Sequence, residues 1–290
     1  MPFPDRYPSP QHLPFNRTAL AAEFELESPD RDPGGAGVWV LLRSGELLVT
    51  DTPQATLPEG VLPAGDAARA VYIGRHLGRP CRALKLSPEL ALPAGLRSEN
   101  LLAAQPGLSL ALLSLAGTAG SILHWLGNSR HCARCGAATV PMPGEWGRTC
   151  SSCGYAHFPH IHPCVIVLVR RGRELLLTRK AGWPPGRYSL VAGFLDFGEC
   201  LEEAVAREVR EETGVTVSNV RYVGSQSWPF PSQLMAGFVA DYVAGEVVVE
   251  TTELEDARWF SIDALPLLPP KRSIARYILD HFGNESPSAS

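Results

Sequence analysis

Four cysteines constrain this chain more than any other feature. Cys132-Ala133-Arg134-Cys135 and Cys150-Ser151-Ser152-Cys153 are two CxxC pairs with fourteen residues between them, each followed by glycine, Gly136 and Gly154. This spacing brings four thiolates to the corners of one tetrahedron, the geometry that Zn²⁺ prefers. The glycines permit the turn in which backbone N–H groups face the thiolates. Four protein ligands leave no open position, so the expected zinc is structural and not catalytic. The knuckles divide the chain into an N-terminal α+β domain (1–128), a zinc ribbon (129–157), a C-terminal α/β domain (158–283) and a polar tail (284–290) expected to fray. Cys81, Cys164 and Cys200 bring the total to seven, an odd number that argues against a complete disulfide framework. Free thiols beside a thiolate-bound metal suit a reducing compartment, so the expected location is cytoplasmic.

Charge narrows the class. Twenty-six basic and 30 acidic residues give a formal net charge of −4, so no global basic field draws nucleic acid to the chain. Residues 107–127 are uncharged and apolar and long enough to span a bilayer. They also carry five Ser, Thr or His side chains and four glycines, and Cys132 follows five residues later. A buried helix and no membrane partner is the expectation, and Met1–Arg6 has no apolar run of a secretory leader. Upstream, Val38–Leu42 and Glu46–Thr50 flank Ser44-Gly45 as a hairpin, Ala70–Ile73 is another strand, and the first 35 residues read mostly as loop.

The C-terminal part carries the chemistry. Cys164–Val169 and Glu174–Thr178 read as a hairpin and Tyr188–Val191 as a short strand. A helix is predicted from near Cys200 to Gly214, a suitable residue just past a helix end. With Leu201 at zero and 100° per residue, Val205 falls at about +40°, Val209 at about +80° and Ala204 at about −60°, a core-facing stripe. Glu208 at about −20° and Glu212 at about +20° lie in the middle of that stripe, and Glu211 at about −80° lies at its edge. A merely solvated charge run would occupy the outer face. Like charges this close and partly desolvated repel unless a cation neutralises them, and a cluster of hard oxygens selects Mg²⁺ or Mn²⁺.

From Gly193 to Val215 the chain fits G-x5-E-x7-R-E-U-x-E-E-x-G-U (U a bulky aliphatic) at every fixed position. In this it resembles the Nudix hydrolases, which cleave a nucleoside diphosphate linked to another moiety using Mg²⁺ or Mn²⁺. The resemblance implies an α/β/α sandwich with a mixed sheet. It also implies that Glu208, Glu211 and Glu212 hold the metal, that Arg207 orients them, and that Glu199 braces the loop or holds an outer metal. For the proton of the attacking water, Glu212 is the first choice of acceptor and Glu253 the second.

Ten residues beyond the box lies Ser225-Gln226-Ser227-Trp228-Pro229-Phe230-Pro231-Ser232-Gln233. Prolines beside Trp and Phe stiffen the backbone that presents flat apolar surfaces, suited to stacking on a base or a nicotinamide ring. The alternative is a surface loop whose aromatics pack down. The segment is similar to the SQPWPFPxS signature of the NADH pyrophosphatase branch of the Nudix hydrolases, which also carries a zinc ribbon before its Nudix domain. Ser227 stands where that signature has proline, and Gln233 where it has serine. Matched singly, Glu253 corresponds to a downstream metal ligand. Phe158, Ala192, Ala275 and Glu145 correspond to substrate contacts, along with Gln226, Ser227, Trp228, Pro229, Phe230, Pro231, Ser232 and Gln233. Lys271-Arg272 suits either a phosphate or a solvated helix start.

The resemblance implies hydrolysis of NAD(H) to NMN(H) and AMP, removal of NAD caps from RNA 5′ ends by cutting the same bond, and a homodimer. The rivals are ADP-ribose or diadenosine polyphosphates as substrates, and a non-catalytic zinc-ribbon protein that binds nucleic acid.

Overall fold

A computed structural model describes residues 3–61 and 69–284. Most of the expected fraying tail lies outside the described residues. By packing, the chain forms two units: one comprises 15–161 with 228–232, the other 3–14, 162–227 and 233 onward.

The first unit contains two sheets. The larger is built from β1 (Phe24–Leu26), β2 (Gly37–Arg43), β3 (Glu46–Thr50), β4 (Glu59–Gly60), β5 (Val71–His76), β6 (Arg79–Leu86) and β7 (Leu96–Asn100), in the order β1-β5-β6-β2-β3-β7 with β4 beside β2. The hairpin expected at Ser44-Gly45 forms, with Leu41 opposite Leu48 and both turn residues at positive φ (+53° and +82°). Trp39, Leu41, Leu48, Leu84 and Leu86 make one buried cluster. The first 35 residues are more ordered than expected, with three short 3₁₀ turns and β1.

Helix α1 (Leu110–Asn128) starts at Ser109, whose hydroxyl accepts from the Leu112 N–H at 3.1 Å. It is the apolar segment of membrane-spanning length, and in the structure Ala111–Gly117, Ala119 and Trp125 are buried. The ribbon sheet follows: β8 (Thr139–Pro141), β9 (Arg148–Cys150) and β10 (Ala156–His157), in the order β10-β9-β8.

The second unit holds the mixed sheet that the sequence implied. Its strands are β11 (His162–Arg171), β12 (Glu174–Arg179), β13 (Val191–Phe194), β14 (Thr216–Trp228), β15 (Gln233–Ala244) and β16 (Asp256–Ser261), in the order β14-β15-β11-β12-β16 with β13 beside β11. β11 and β15 run parallel; β11–β12, β11–β13 and β12–β16 are antiparallel. A strand covered on both faces reads as a continuous apolar run, which explains Cys164–Val169. The strand expected at Tyr188–Val191 begins later, at Val191. The preceding backbone is divided between partners: Tyr188 N–H donates to Leu267 O and Ser189 N–H to Thr178 O.

Helices cover the two faces of this sheet. On one, Val165, Val167, Val169, Ala236 and Phe238 pack with Ala204, Val205 and Val209 of α2 (Leu201–Thr213). On the other, Gly237 lies under α3 (Ile274–Phe282): a Cβ there would meet the Ile278 and Ile274 side chains at 2.8 and 2.9 Å. Neighbouring strand positions face opposite sides, so Gly237 and Phe238 define the two helix layers.

Candidate active site

Helix α2 begins and ends as its sequence dictates. Cys200 is the N-cap, its N–H donating to the Glu203 carboxylate at 2.8 Å, and Gly214 closes the helix at φ +73° with its N–H on Arg210 O. Packing the apolar stripe against the sheet carries Glu208 and Glu212 inward, 8% and 3% exposed, and leaves Glu211 largely in solvent. Glu208 rests on β13, where a Cβ on Gly193 would sit 2.0–2.2 Å from its carboxyl group. Only glycine leaves that space, which gives the first fixed residue of the box a steric reason.

Arg207 organises the cluster. Its guanidinium donates to both oxygens of Glu199 (2.5 and 2.8 Å), to Glu208 (2.9 Å), to Glu211 (3.0 Å) and to the Phe194 carbonyl (2.9 Å). Glu199 in turn accepts from the Asp196 N–H at 2.8 Å, which ties its carboxylate to the loop before α2. These bonds hold the Glu199 carboxyl down to about 2, with Arg207 the main cause.

Glu212 differs. Both of its carboxylate oxygens are buried and neither meets a hydrogen-bond donor. Burial pushes its carboxyl up to about 7, opposed by the charge of Lys180 and reinforced by Glu208 and Glu253. Burial likewise raises Glu208, although Arg207 opposes it. An unpartnered buried carboxylate between two others is destabilised by every charge it faces except Lys180. Carboxylate oxygens are the hard donors that suit a divalent cation. Glu253 is brought up because the segment before it is tied to the end of α2: Val248 N–H donates to Thr213 O at 2.9 Å and Glu250 N–H to Glu212 O at 3.1 Å.

The ribbon cysteines converge as their spacing required. All four Sγ atoms lie within 4.8 Å of one another. Arg134 N–H donates to the Cys132 sulfur and the N–H groups of Ser152 and Cys153 to that of Cys150, each at 3.4 Å. Gly136 and Gly154 take positive φ (+77° and +69°), the turns anticipated for them. This donor set fits Zn²⁺.

The remaining site residues divide between the units. Ala192, Gln226, Ser227, Gln233, Ala275 and the glutamates 199, 208, 211, 212 and 253 belong to the second; Glu145, Phe158 and Trp228–Ser232 belong to the first. Ala192 lies on β13 opposite Ile166, and Ala275 in the first turn of α3. Phe158 is half-exposed, with Glu145 exposed nearby in sequence. The aromatics of the Trp-Pro-Phe segment partly pack down: Phe15 meets Trp228 and Phe230 edge-on at 5.7 and 5.4 Å. Ser121 donates to Pro231 O at 3.2 Å.

Gln226 requires a correction. Its side chain is fully buried and its amide bonds only to protein, so it presents no hydrogen-bonding group to a ligand. Two residues escaped the sequence reading. Phe194, directly after Gly193, exposes half of its ring on β13 while Arg207 holds its carbonyl. Lys180, at the end of β12, supplies the positive charge felt by Glu212. The signal for Phe194 was an aromatic beside an obligatory glycine; that for Lys180 was only its rarity, as one of three lysines.

Comparison with known proteins agrees with this geometry. Residues 160–282 match the NUDIX domain, residues 36–125 the NADH pyrophosphatase-like rudimentary NUDIX domain, and residues 128–158 the NADH pyrophosphatase zinc ribbon domain. The chain is 38% identical over 263 residues to the NAD-capped RNA hydrolase NudC of Pseudomonas aeruginosa, covering 90% of this chain and 94% of that one. It is 40% identical over 250 residues to the protein of that name from Pseudomonas fluorescens (86% and 89% covered), and 37% identical over 246 residues to that from Escherichia coli (82% and 93%). The chain belongs to the NudC family of zinc-ribbon Nudix hydrolases.

Proposed function

We propose that this protein hydrolyses the pyrophosphate bond of NAD(H), giving AMP and NMN(H), and that it cuts the same bond in RNA capped with NAD. One observation carries the chemistry: Glu212, buried and without a protein donor, stands beside Glu208, which Arg207 grips together with Glu199 and Glu211. The substrate class comes from the relatives, whose names specify NAD-capped RNA.

Glu208, Glu211, Glu212 and Glu253 are the residues that would hold Mg²⁺ or Mn²⁺, which when bound supplies charge neutralisation for pyrophosphate oxygens and acidifies water. The protein's own groups do the rest. Arg207 holds the Glu208 and Glu211 carboxylates through one shared guanidinium nitrogen. Glu212, with a carboxyl group raised to about 7, is matched to accepting a proton from water near neutral pH. Phe194 offers an exposed ring beside the acid cluster, suited to stacking on a flat nicotinamide or adenine. Ser227 and Gln233, the two departures from the family signature, bear on the preference between NADH and NAD. A structural zinc in the ribbon, a homodimer and a cytoplasmic location complete the proposal.

The test is product analysis of NADH, NAD, ADP-ribose, diadenosine polyphosphates and a 5′-NAD-capped RNA, each incubated with zinc-loaded protein and Mn²⁺. NMNH and AMP from NADH, absent with Glu212→Gln, is the expected result. Turnover confined to ADP-ribose or diadenosine polyphosphates would replace the substrate; binding of RNA without turnover of anything would replace the chemistry.

A further inference from the structure

We infer that Phe197 is a stacking platform for RNA: its ring takes the base of the nucleotide that follows the adenosine of an NAD cap, and so separates capped RNA from free NAD(H). The fold itself does not use this ring. Phe197 is 103% exposed, more than any other large apolar side chain among the described residues. Phenylalanine is ordinarily among the most buried residue types. The loop that carries it is nonetheless fixed. Asp196 N–H donates to Glu199 at 2.8 Å, Phe197 N–H to the Asp196 carboxylate at 2.7 Å, and Glu199 N–H to Asp196 O at 3.3 Å. On one side of the turn Leu195 packs against the core; on the other, Arg207 holds both oxygens of Glu199. The ring projects from a turn braced at both ends, so its exposure is not that of a fraying segment.

Position gives the ring its partner. Arg207 grips Phe194 O before the turn and Glu199 after it, and the same guanidinium holds Glu208 and Glu211. Phe197 therefore lies on the rim of the acid cluster, three residues beyond Phe194. A site for a small dinucleotide encloses it with walls, and Phe194 is half covered. Phe197 has no wall on any side, which suits a strand that leaves the site into solvent. In a capped RNA that strand continues from the 3′ oxygen of the cap's adenosine. The charges beside the ring narrow the mode of contact. Asp196, Glu202 and Glu203 are exposed acids that repel phosphates, so the loop meets RNA through a base face and not through the backbone. Stacking of unpaired bases on aromatic rings is the usual way in which single-stranded RNA is held.

This inference rests on capped RNA as a substrate, and its test separates the two. Phe197→Ala and Phe197→Trp are compared with wild type as full zinc-loaded chains with Mn²⁺, on NADH and on NAD-capped RNA. Alanine is expected to raise KM for the capped RNA on the order of tenfold, with kcat/KM for NADH within about twofold, and tryptophan to restore the RNA value. A capped RNA that lacks the base of that one nucleotide should give the same KM with wild type and Phe197→Ala. Equal losses on NADH and capped RNA would put the ring in the dinucleotide site, and no loss on either would leave it without a role; both results overturn the inference. So does an alanine effect that persists on the abasic RNA. A lower unfolding temperature or a changed sedimentation coefficient in Phe197→Ala would assign the ring to folding or to a contact between copies, and would overturn it as well.

Binding covers the case in which the wild type cleaves neither substrate. In the Glu212→Gln background, fluorescence anisotropy of a 3′-labelled NAD-capped RNA is expected to show affinity lowered on the order of tenfold by Phe197→Ala. No turnover by the wild type would sink the substrate reading. An affinity unchanged by Phe197→Ala would then refute the platform on its own.

Discussion

Replacing Glu212 with glutamine should abolish activity and at the same time stabilise the protein. The side chain is 3% exposed, and neither carboxylate oxygen has a donor. Burial, with Glu208 and Glu253 nearby, raises its carboxyl from 4.5 to about 7. A group raised in the folded state makes the native protein prefer the proton, so no penalty exists below the unfolded value. The penalty grows between pH 4.5 and 7 and is constant above. At about 1.36 kcal/mol per unit, the shift corresponds to about 3 kcal/mol at pH 8. Glutamine resembles the protonated acid in shape and polarity and carries no charge at any pH.

In zinc-loaded protein without Mg²⁺ or Mn²⁺, Glu212→Gln should therefore unfold at a higher temperature than wild type at pH 8. At about 2–4 °C per kcal/mol the difference is roughly 6–12 °C, shrinking toward zero near pH 5. Adding Mn²⁺ should close the gap, because the cation neutralises the wild-type carboxylate and has less to bind in the variant. Differential scanning calorimetry across pH 5–8 measures all of this. A variant no more stable than wild type at pH 8, or a gain that does not depend on pH, would refute the buried-charge account. Natural sites keep such a group because function requires it, at a cost in stability.

Three other outcomes follow from the geometry. Arg207→Met should lower kcat on the order of 10²-fold or more, and Arg207→Lys should recover only part of it, since a point charge cannot hold Glu199, Glu208, Glu211 and the Phe194 carbonyl together; steady-state kinetics of the pair checks this. Gly193→Ala places a methyl about 2 Å from the Glu208 carboxyl and should lower kcat on the order of 10²-fold while zinc content is unchanged. Cys135→Ser should lose the metal of the ribbon, seen as near-zero zinc by elemental analysis and rapid proteolysis within residues 129–157, because metal binding supplies most of the folding free energy of such small modules.

Local chemistry was legible wherever one element's own periodicity decides the outcome. The helix Leu201–Thr213 follows from its apolar stripe and from Gly214, and the burial of Glu208 and Glu212 from their angle on it. The cysteine knuckles needed only spacing and two glycines. Where a residue's partners lie far along the chain, the sequence was silent. Gln226 read as a ligand contact because it sits in a signature, but its amide is satisfied by Pro14, Arg272 and Ile274, a choice that only packing makes. The Tyr188 strand shifted because its backbone found Leu267 and Thr178. Trp228 and Phe230, which the sequence left open between stacking surfaces and aromatics that pack down, share Phe15 as a neighbour. Periodicity determines which side of an element is apolar. Tertiary structure determines which polar groups remain unpaired there, and Glu212, buried and unbonded beside the Arg207-bonded Glu208, is where that distinction carries function.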